Sequence, residues 1–395
     1  MIFFRINKKE VSLICDVGSS SITLGLVDFA GETPLVLFST RVPIAIQQDY
    51  KPEALQKALY TYLDQAIGNI EAGYRAGSVY ELSNTKVENA HIVFSSPWYI
   101  SKVALNKESK DKSVILDRKF FDGILDAEEK KFENEVLSSE KIHMLGDIHA
   151  VEREMLQVEL NGYPTSEPLM KMATSISTSV LTSLVSHDFF SKIASKIENA
   201  FHTRKVYAHS FPFSAWSALK ELPSHESDYV ILDIAGEMTD VVLVKNKVME
   251  KIYSVELGRN TLIRSLAKKM ESSIDVALSN ISLYSVNKLD VAGRSRLEDA
   301  FSAFMAIWRF KLEEAWDNKL FSALNSKKFF VTIDDDVAVP FMSTLKNLIG
   351  DERAVFQITN ELIGDKIGYN KHVVHDPFIA IESMSLNALY KKHLQ

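Results

Sequence analysis

A chain of 395 residues, 46% hydrophobic and 25% charged, has the length for about two or three domains and the apolar content for a sizeable core. The formal net charge of −7 gives no basis for a nucleic-acid surface, and the single cysteine, Cys15, has no intrachain partner for a disulfide, which fits a reducing cytoplasm. No apolar run is long enough to cross a membrane and no cleavable signal pattern is present, so the expectation is a soluble cytoplasmic protein, tethered to a membrane only peripherally.

The leader 1–9 mixes Ile2, Phe3, Phe4 and Ile6 with Arg5, Lys8 and Lys9. It reads either as an edge segment or as a short piece that touches the inner face of the cytoplasmic membrane. Stretches 11–29 and 33–42 are rich in β-branched and apolar residues, which predicts strands, with Asp16, Val17, Gly18, Ser19, Ser20 and Ser21 as a tight turn inside the first. Lys51, Pro52 and Glu53 open a helix whose Leu55, Leu59, Leu63, Ile67 and Ile70 fall on one face.

From 88 to 185 the pattern becomes that of a small α+β insert. A strand over 91–94 is followed by a charged helix over 117–137, and strands over 142–160 and 171–185 are separated by Asn161, Gly162, Tyr163 and Pro164. The charge run from Asp126 to Lys131 reads as a solvated helix face.

A helix over 189–201, a strand over 205–209 and a helix over 214–222 ended by Pro223 return to the main body. A second hairpin follows, in which an apolar strand ends at Asp233, turns through Ala235 and Gly236, and resumes from Thr239 and Asp240 to Val244. After a strand over 248–255, Gly258 leads into a helix over 262–270. The long helix expected over 294–317 carries Leu297, Phe301, Phe304, Trp308, Leu312 and Trp316 on one face, a spacing that predicts core. Asp334, Asp335 and Asp336 follow a strand over 328–333; they invite a metal but read better as the acidic start of a helix that stops at Gly350. A strand over 354–358 and a helix over 377–390 come last.

The two hairpins carry the chemistry. A tight turn of small residues between strands lets backbone N–H groups approach a polyphosphate, because no Cβ blocks the way. Ser19, Ser20 and Ser21 add hydroxyls from one side and Gly236 and Thr239 contribute from the other, a reading preferred to that of two plain hairpins. Asp16 and Asp233, facing each other across a cleft, suit a Mg²⁺ held through water, and Asp233 is placed to orient an attacking water.

Asp16 to Ser21 and Asp233 to Asp240 resemble the two phosphate motifs of the actin-like ATPase superfamily. Gly258 to Ile263 resembles the segment that follows them in the bacterial cell-division protein FtsA, and the insert stands where FtsA carries its subdomain 1C. The segments 141–145, 160–164 and 168–171 look like FtsA positions within it, and 375–380 resembles the start of the family's last helix. The resemblance implies an α/β fold of actin-like, ribonuclease H-like duplicated half-domains around a nucleotide cleft, with an α+β insert of the FtsA 1C type, also called SHS2-like. The first half-domain is then 1–87 with 186–222, the insert 88–185 and the second half-domain 223–395. It also implies ATP with Mg²⁺ as cofactor, Gly18, Ser19, Ser20, Ser21, Gly236, Thr239 and Gly258 as its binding residues, Asp16 and Asp233 as the metal pair, and Asp233 as the catalytic carboxylate.

Departures qualify that expectation. Val331 to Asp335 stand where the family has a Gly-Gly turn against the adenine, Ala277 to Ile281 where it has a nucleoside-contacting Glu and Lys, and Ala235, Glu237 and Met238 where its second loop has Gly, Gly and Thr. The expectation is therefore weak nucleotide binding and slow hydrolysis. By resemblance the preferred function is an FtsA-like scaffold that links a tubulin-like division ring to the membrane and assembles into protofilaments. The alternative is a PilM-like component of type IV pilus assembly that grips the cytoplasmic peptide of a membrane protein. A small-molecule kinase on the same fold is a third, and it lacks the adenosine glycines.

Overall fold

The computed structural model describes residues 11–75, 86–139, 147–222, 226–315, 328–350 and 354–394. The leader 1–9, segment 141–145, the beginning of the strand expected over 142–160, Pro223 and Trp316 lie outside them.

Two sheets are built on one plan. In the first, β1 (Val11–Val17) and β2 (Ser21–Asp28) form an antiparallel hairpin and β3 (Leu35–Pro43) continues it; α1 (Pro52–Arg75) then crosses over, and β4 (Val87–Phe94) returns parallel to β1. An insert follows: β5 (Tyr99–Ile115), α2 (Arg118–Leu137), β6 (Ile148–Leu160), β7 (Tyr163–Pro164) and β8 (Met172–Ser186), with its own sheet in the order β5-β8-β6-β7. Helix α3 (His187–Phe201) leads back to β9 (Lys205–Ser210), parallel to β4, and to α4 (Phe211–Glu221).

The second sheet repeats the scheme with the hairpin β10 (Tyr229–Ile234) and β11 (Thr239–Lys245), then β12 (Val248–Val255). Helices α5 (Arg259–Lys269), α6 (Ile274–Ser285) and α7 (Val291–Ala315) precede β13 (Lys328–Ile333), which lies parallel to β10. Helix α8 (Ala338–Ile349) and β14 (Val355–Gln357) follow. The orders β3-β2-β1-β4-β9 and β12-β11-β10-β13-β14 match strand for strand, three antiparallel and two parallel, which is an internal duplication.

Two boundaries differ from the sequence reading. Strand β4 falls inside the expected insert 88–185, yet its residues pair with β1, so the insert's own sheet begins at Tyr99. After the short α9 (Asn360–Ile363), β15 (Gly368–Tyr369) joins the first sheet beside β3, and α10 (Pro377–Leu394) packs on α4. Segment 223–395 is thus not a self-contained half. At the crossing with α10, a Cβ on Gly25 would lie 2.8 Å from Ile379 Cγ2, so the strand there needs glycine for space.

Strand alternation fixes the layers. Along β1, Val11, Leu13, Cys15 and Val17 face the core shared with α1 and α3, whereas Ile14 faces the opposite way. Along β10, Val230, Leu232 and Ile234 face the core around the fully buried Trp308, while Tyr229 and Ile231 face the same layer as Ile14. That middle layer is filled by α4 and α10. Leu297, Phe301, Phe304, Trp308 and Leu312 of α7 are all buried, as their spacing implies. Asp16 follows the parity of Ile14, and Asp233 that of Ile231. Both therefore point into the middle layer, from opposite sheets.

Candidate functional site

The turns of the two hairpins meet there. Gly18 N donates to Ser21 O at 3.1 Å and Ala235 N to Met238 O at 3.0 Å, closing each turn on itself. Between them, Glu237 N donates to Ser19 Oγ at 3.0 Å, and Asn260 Nδ2 reaches Ser19 O at 3.3 Å. A Cβ on Gly236 would lie 2.7 Å from Ser19 Oγ and 2.8 Å from Ser20 N, so the second turn needs glycine to press against the first. Gly258 works likewise one step away, because a Cβ there would lie 2.4 Å from Ala235 O. The first amides of α5 donate to that same turn, Arg259 N to Ala235 O at 2.9 Å and Asn260 N to Gly236 O at 2.6 Å.

Carboxylates surround the junction. Asp16 and Asp233 line one small cavity with Gly18, Ser20, Arg41 and Asp334, of about 20 Å³, the room of a single water. Thr332 Oγ1 donates to Asp233 Oδ1 at 2.7 Å, while Asp16 Oδ1 and Asp233 Oδ2 have no hydrogen-bond partner among the described residues. Burial pushes the Asp16 carboxyl up to about 8, and the neighbouring charge of Asp376 adds to the shift. Burial also raises Glu382 of α10 well above the ordinary carboxyl range, and the neighbouring charges of Asp16 and Asp376 add to the shift. Burial likewise pushes Asp233 well up, helped by the charge of Asp240.

Arg41 is the cation of this cluster. It pairs with Asp334, lies 3.5 Å from Asp376 Oδ2, and donates from Nε to Ser21 Oγ at 3.0 Å. Burial works against its charge, but Asp334, Asp376 and Asp16 outweigh that and hold the guanidinium more firmly protonated than usual. Asp334 also accepts from Ser20 Oγ at 3.2 Å and lies 3.5 Å from Arg259 Nε.

Asp16, Gly18, Ser19, Ser20, Ser21 and Asp233 line the cavity, and Gly236 and Gly258 make the close approaches behind it. Thr239 does not reach it. It has the parity of Val241, which faces the outer core, so its hydroxyl donates to Leu257 O at 2.7 Å and accepts from Trp308 Nε1 at 3.0 Å. Its neighbour Asp240 points the other way and accepts from Ser96 Oγ, Ser254 Oγ and Tyr99 OH, joining the second hairpin to the root of the insert. Asp334 corrects the capping expectation: its carboxylate makes no cap hydrogen bond and turns to Arg41 and Ser20 instead. Sequence reasoning missed Arg41, Asp376 and Glu382, although an Arg within an apolar strand and a Glu directly after Ile379, Ala380 and Ile381 are visible signals.

The residues present do not fit a polyphosphate with its hydrated Mg²⁺. Mg²⁺ keeps several waters when bound, which a water-sized cavity does not admit. Backbone of the two turns already touches where phosphates would enter, and the buried carboxylate of Glu237 stands in the second turn, held by Arg264 and Asn260. Among the described residues no cluster of three metal-ligating side chains is found.

No family model matches the chain, and no curated protein matches it in sequence. Among solved structures, it resembles a chain of the PilM–PilN type IV pilus biogenesis complex at a TM-score of 0.64 and 13% identity, over 97% of this chain and 98% of that one. A fainter likeness is to the ethanolamine utilization protein EutJ from Carboxydothermus hydrogenoformans, at a TM-score of 0.46 and 10% identity over 98% and 92% of the two chains. Duplicated sheets with the hairpin turns at their junction, and this likeness over nearly the whole length, give the chain an actin-like ATPase fold.

Proposed function

We propose that this protein is a PilM-like scaffold of type IV pilus assembly, acting on the cytoplasmic side of the membrane by binding a segment of a pilus membrane protein. The observation that carries the reading is the likeness in fold to a chain of the PilM–PilN complex over 97% of this chain, insert included. In keeping with the closed cleft, the proposed role is binding and assembly, with no efficient ATP hydrolysis. The cell-division reading rests on the same actin-like body, and nothing in the geometry favours it.

The test is a binding titration with labelled peptides: the cytoplasmic segment of a bitopic pilus-assembly protein from the same organism, and the C-terminal peptide of its tubulin-like division protein. Saturable binding of the pilus peptide alone is expected. Binding of the division peptide alone would transfer the protein to the other reading.

A further inference from the structure

We propose that the protein's own side chains hold the cleft shut where an actin-like fold would use a bound nucleotide, so that the closed body does not depend on nucleotide. The inference concerns the cleft alone and does not rest on which partner the body binds.

Three ties cross from the first half to the second. At the centre, Ser19 holds the second turn through its hydroxyl and its carbonyl, by Glu237 N and Asn260 Nδ2. At the front, Arg41 and Ser20 both hold Asp334, at the end of β13. Beside the root of the insert, Ser96 just after β4 and Tyr99 of β5 hold Asp240, and elsewhere Arg264 reaches across to Gln47 O at 3.5 Å.

Several groups that a polyphosphate would recruit are already engaged. The amide of Glu237 and the first amides of α5 are spent on Ser19, Ala235 and Gly236. Arg41 and Arg259, the cations beside the cavity, are both turned onto the acidic turn after β13, Arg259 bridging Asp334 and Asp336. An incoming polyphosphate would have to part the two backbones, displace Asp334 from Arg41, and enter beside Glu237. A tie between an Arg of one half and an Asp of the other supplies the cation–anion bridge that a nucleotide with its metal supplies elsewhere, without a ligand.

Amide hydrogen exchange on the full chain tests this through the pair Arg41 and Asp334. Arg41→Gln and Asp334→Asn are each expected to speed exchange about tenfold at 18–21 and 235–238, while the strands β1 and β10 stay protected, which shows that each variant is folded. The double variant is expected to be no faster than the worse single one, because both remove one tie. Arg41→Lys, which keeps the charge, is expected to recover part of the protection. For the wild type, MgATP, MgADP and tripolyphosphate at ~1 mM are expected to leave the thermal midpoint unchanged, since a ligand that binds only the folded state must raise it. A rise in the midpoint with any of them would overturn the proposal. So would unchanged exchange at both turns in both single variants.

Discussion

At the scale of single residues, the cleft shows how one sequence signal can mean two things. Gly236 in a strand-to-strand turn is what a phosphate loop needs, because backbone must come close to something. Here the close neighbour is Ser19 of the other turn, 2.7 Å from where a Cβ would stand. Gly236→Ala is therefore expected to lower stability without any ligand, by about 1–3 kcal/mol, the usual cost of forcing an extra methyl into a packed contact. Urea denaturation reads this directly; unchanged stability would mean that the turns separate freely. The aspartates were legible for a simpler reason: parity along β1 and β10 aims both at the middle layer. Asp334 and Arg41 were not, because their meaning lies in a contact between residues far apart in sequence. Thr239 was misread because it lies one residue from Asp240 and so on the other face of the strand.

At the scale of elements, the duplicated hairpins made the fold legible, and the insert shows where motif reading went astray. Asn161 and Gly162 belong to a segment, 160–164, that resembles the division protein. Both take positive φ, 52° and 85°, in the tight turn between β6 and β7, so hairpin geometry demands this pair whatever the family. Met170, in the segment 168–171, is also left-handed, at φ 62°. The Asn161-Gly162 pair is a turn requirement, with no information about partners.

Four elements meet in a buried polar chain that no local pattern announced. His91 of β4 faces His209 of β9 at 3.1 Å and Tyr390 of α10 at 2.6 Å, and His209 lies 3.7 Å from Glu152 of β6. Burial, with the neighbouring His209, holds the His91 imidazole well below its ordinary range. The unfolded chain takes up a proton on this residue below about pH 6.5 that the folded chain refuses, so the unfolded state binds more protons there and stability falls with falling pH. The expected slope is at most about 1.4 kcal/mol per pH unit for one such proton. Thermal midpoints between pH 7 and 5 should drop less steeply in His91→Gln than in the wild type. Equal slopes would assign the acid sensitivity to other groups.

At the scale of the whole molecule, two sheets, a shared middle layer and a seam of charged ties make one body. The middle layer was the least legible part, since residues 379–386 of α10 are buried all round, polar Glu382, Ser383 and Ser385 included, and show no apolar stripe to say which half they join. The structure puts it on α4 and against Gly25 of β2. Deleting 368–394 is expected to abolish cooperative unfolding of the first half as well as the second, because β3 loses its neighbour and Ile14, Val27 and Val93 lose their cover. Scanning calorimetry on the truncated chain checks this. A surviving transition from an intact first half would show that the two halves are separable after all.

The return of β15 to the edge of β3 also sets an order of events during synthesis. Gly368 N donates to Pro34 O and Asn370 N to Val36 O, so the first sheet is finished only by residues translated long after β3 itself. At ~5–20 residues per second, β3 waits on the order of tens of seconds as an uncapped edge. The half that is translated first is thus the half that is completed last, and a chaperone that shields strand edges would find its target in the nascent chain at β3.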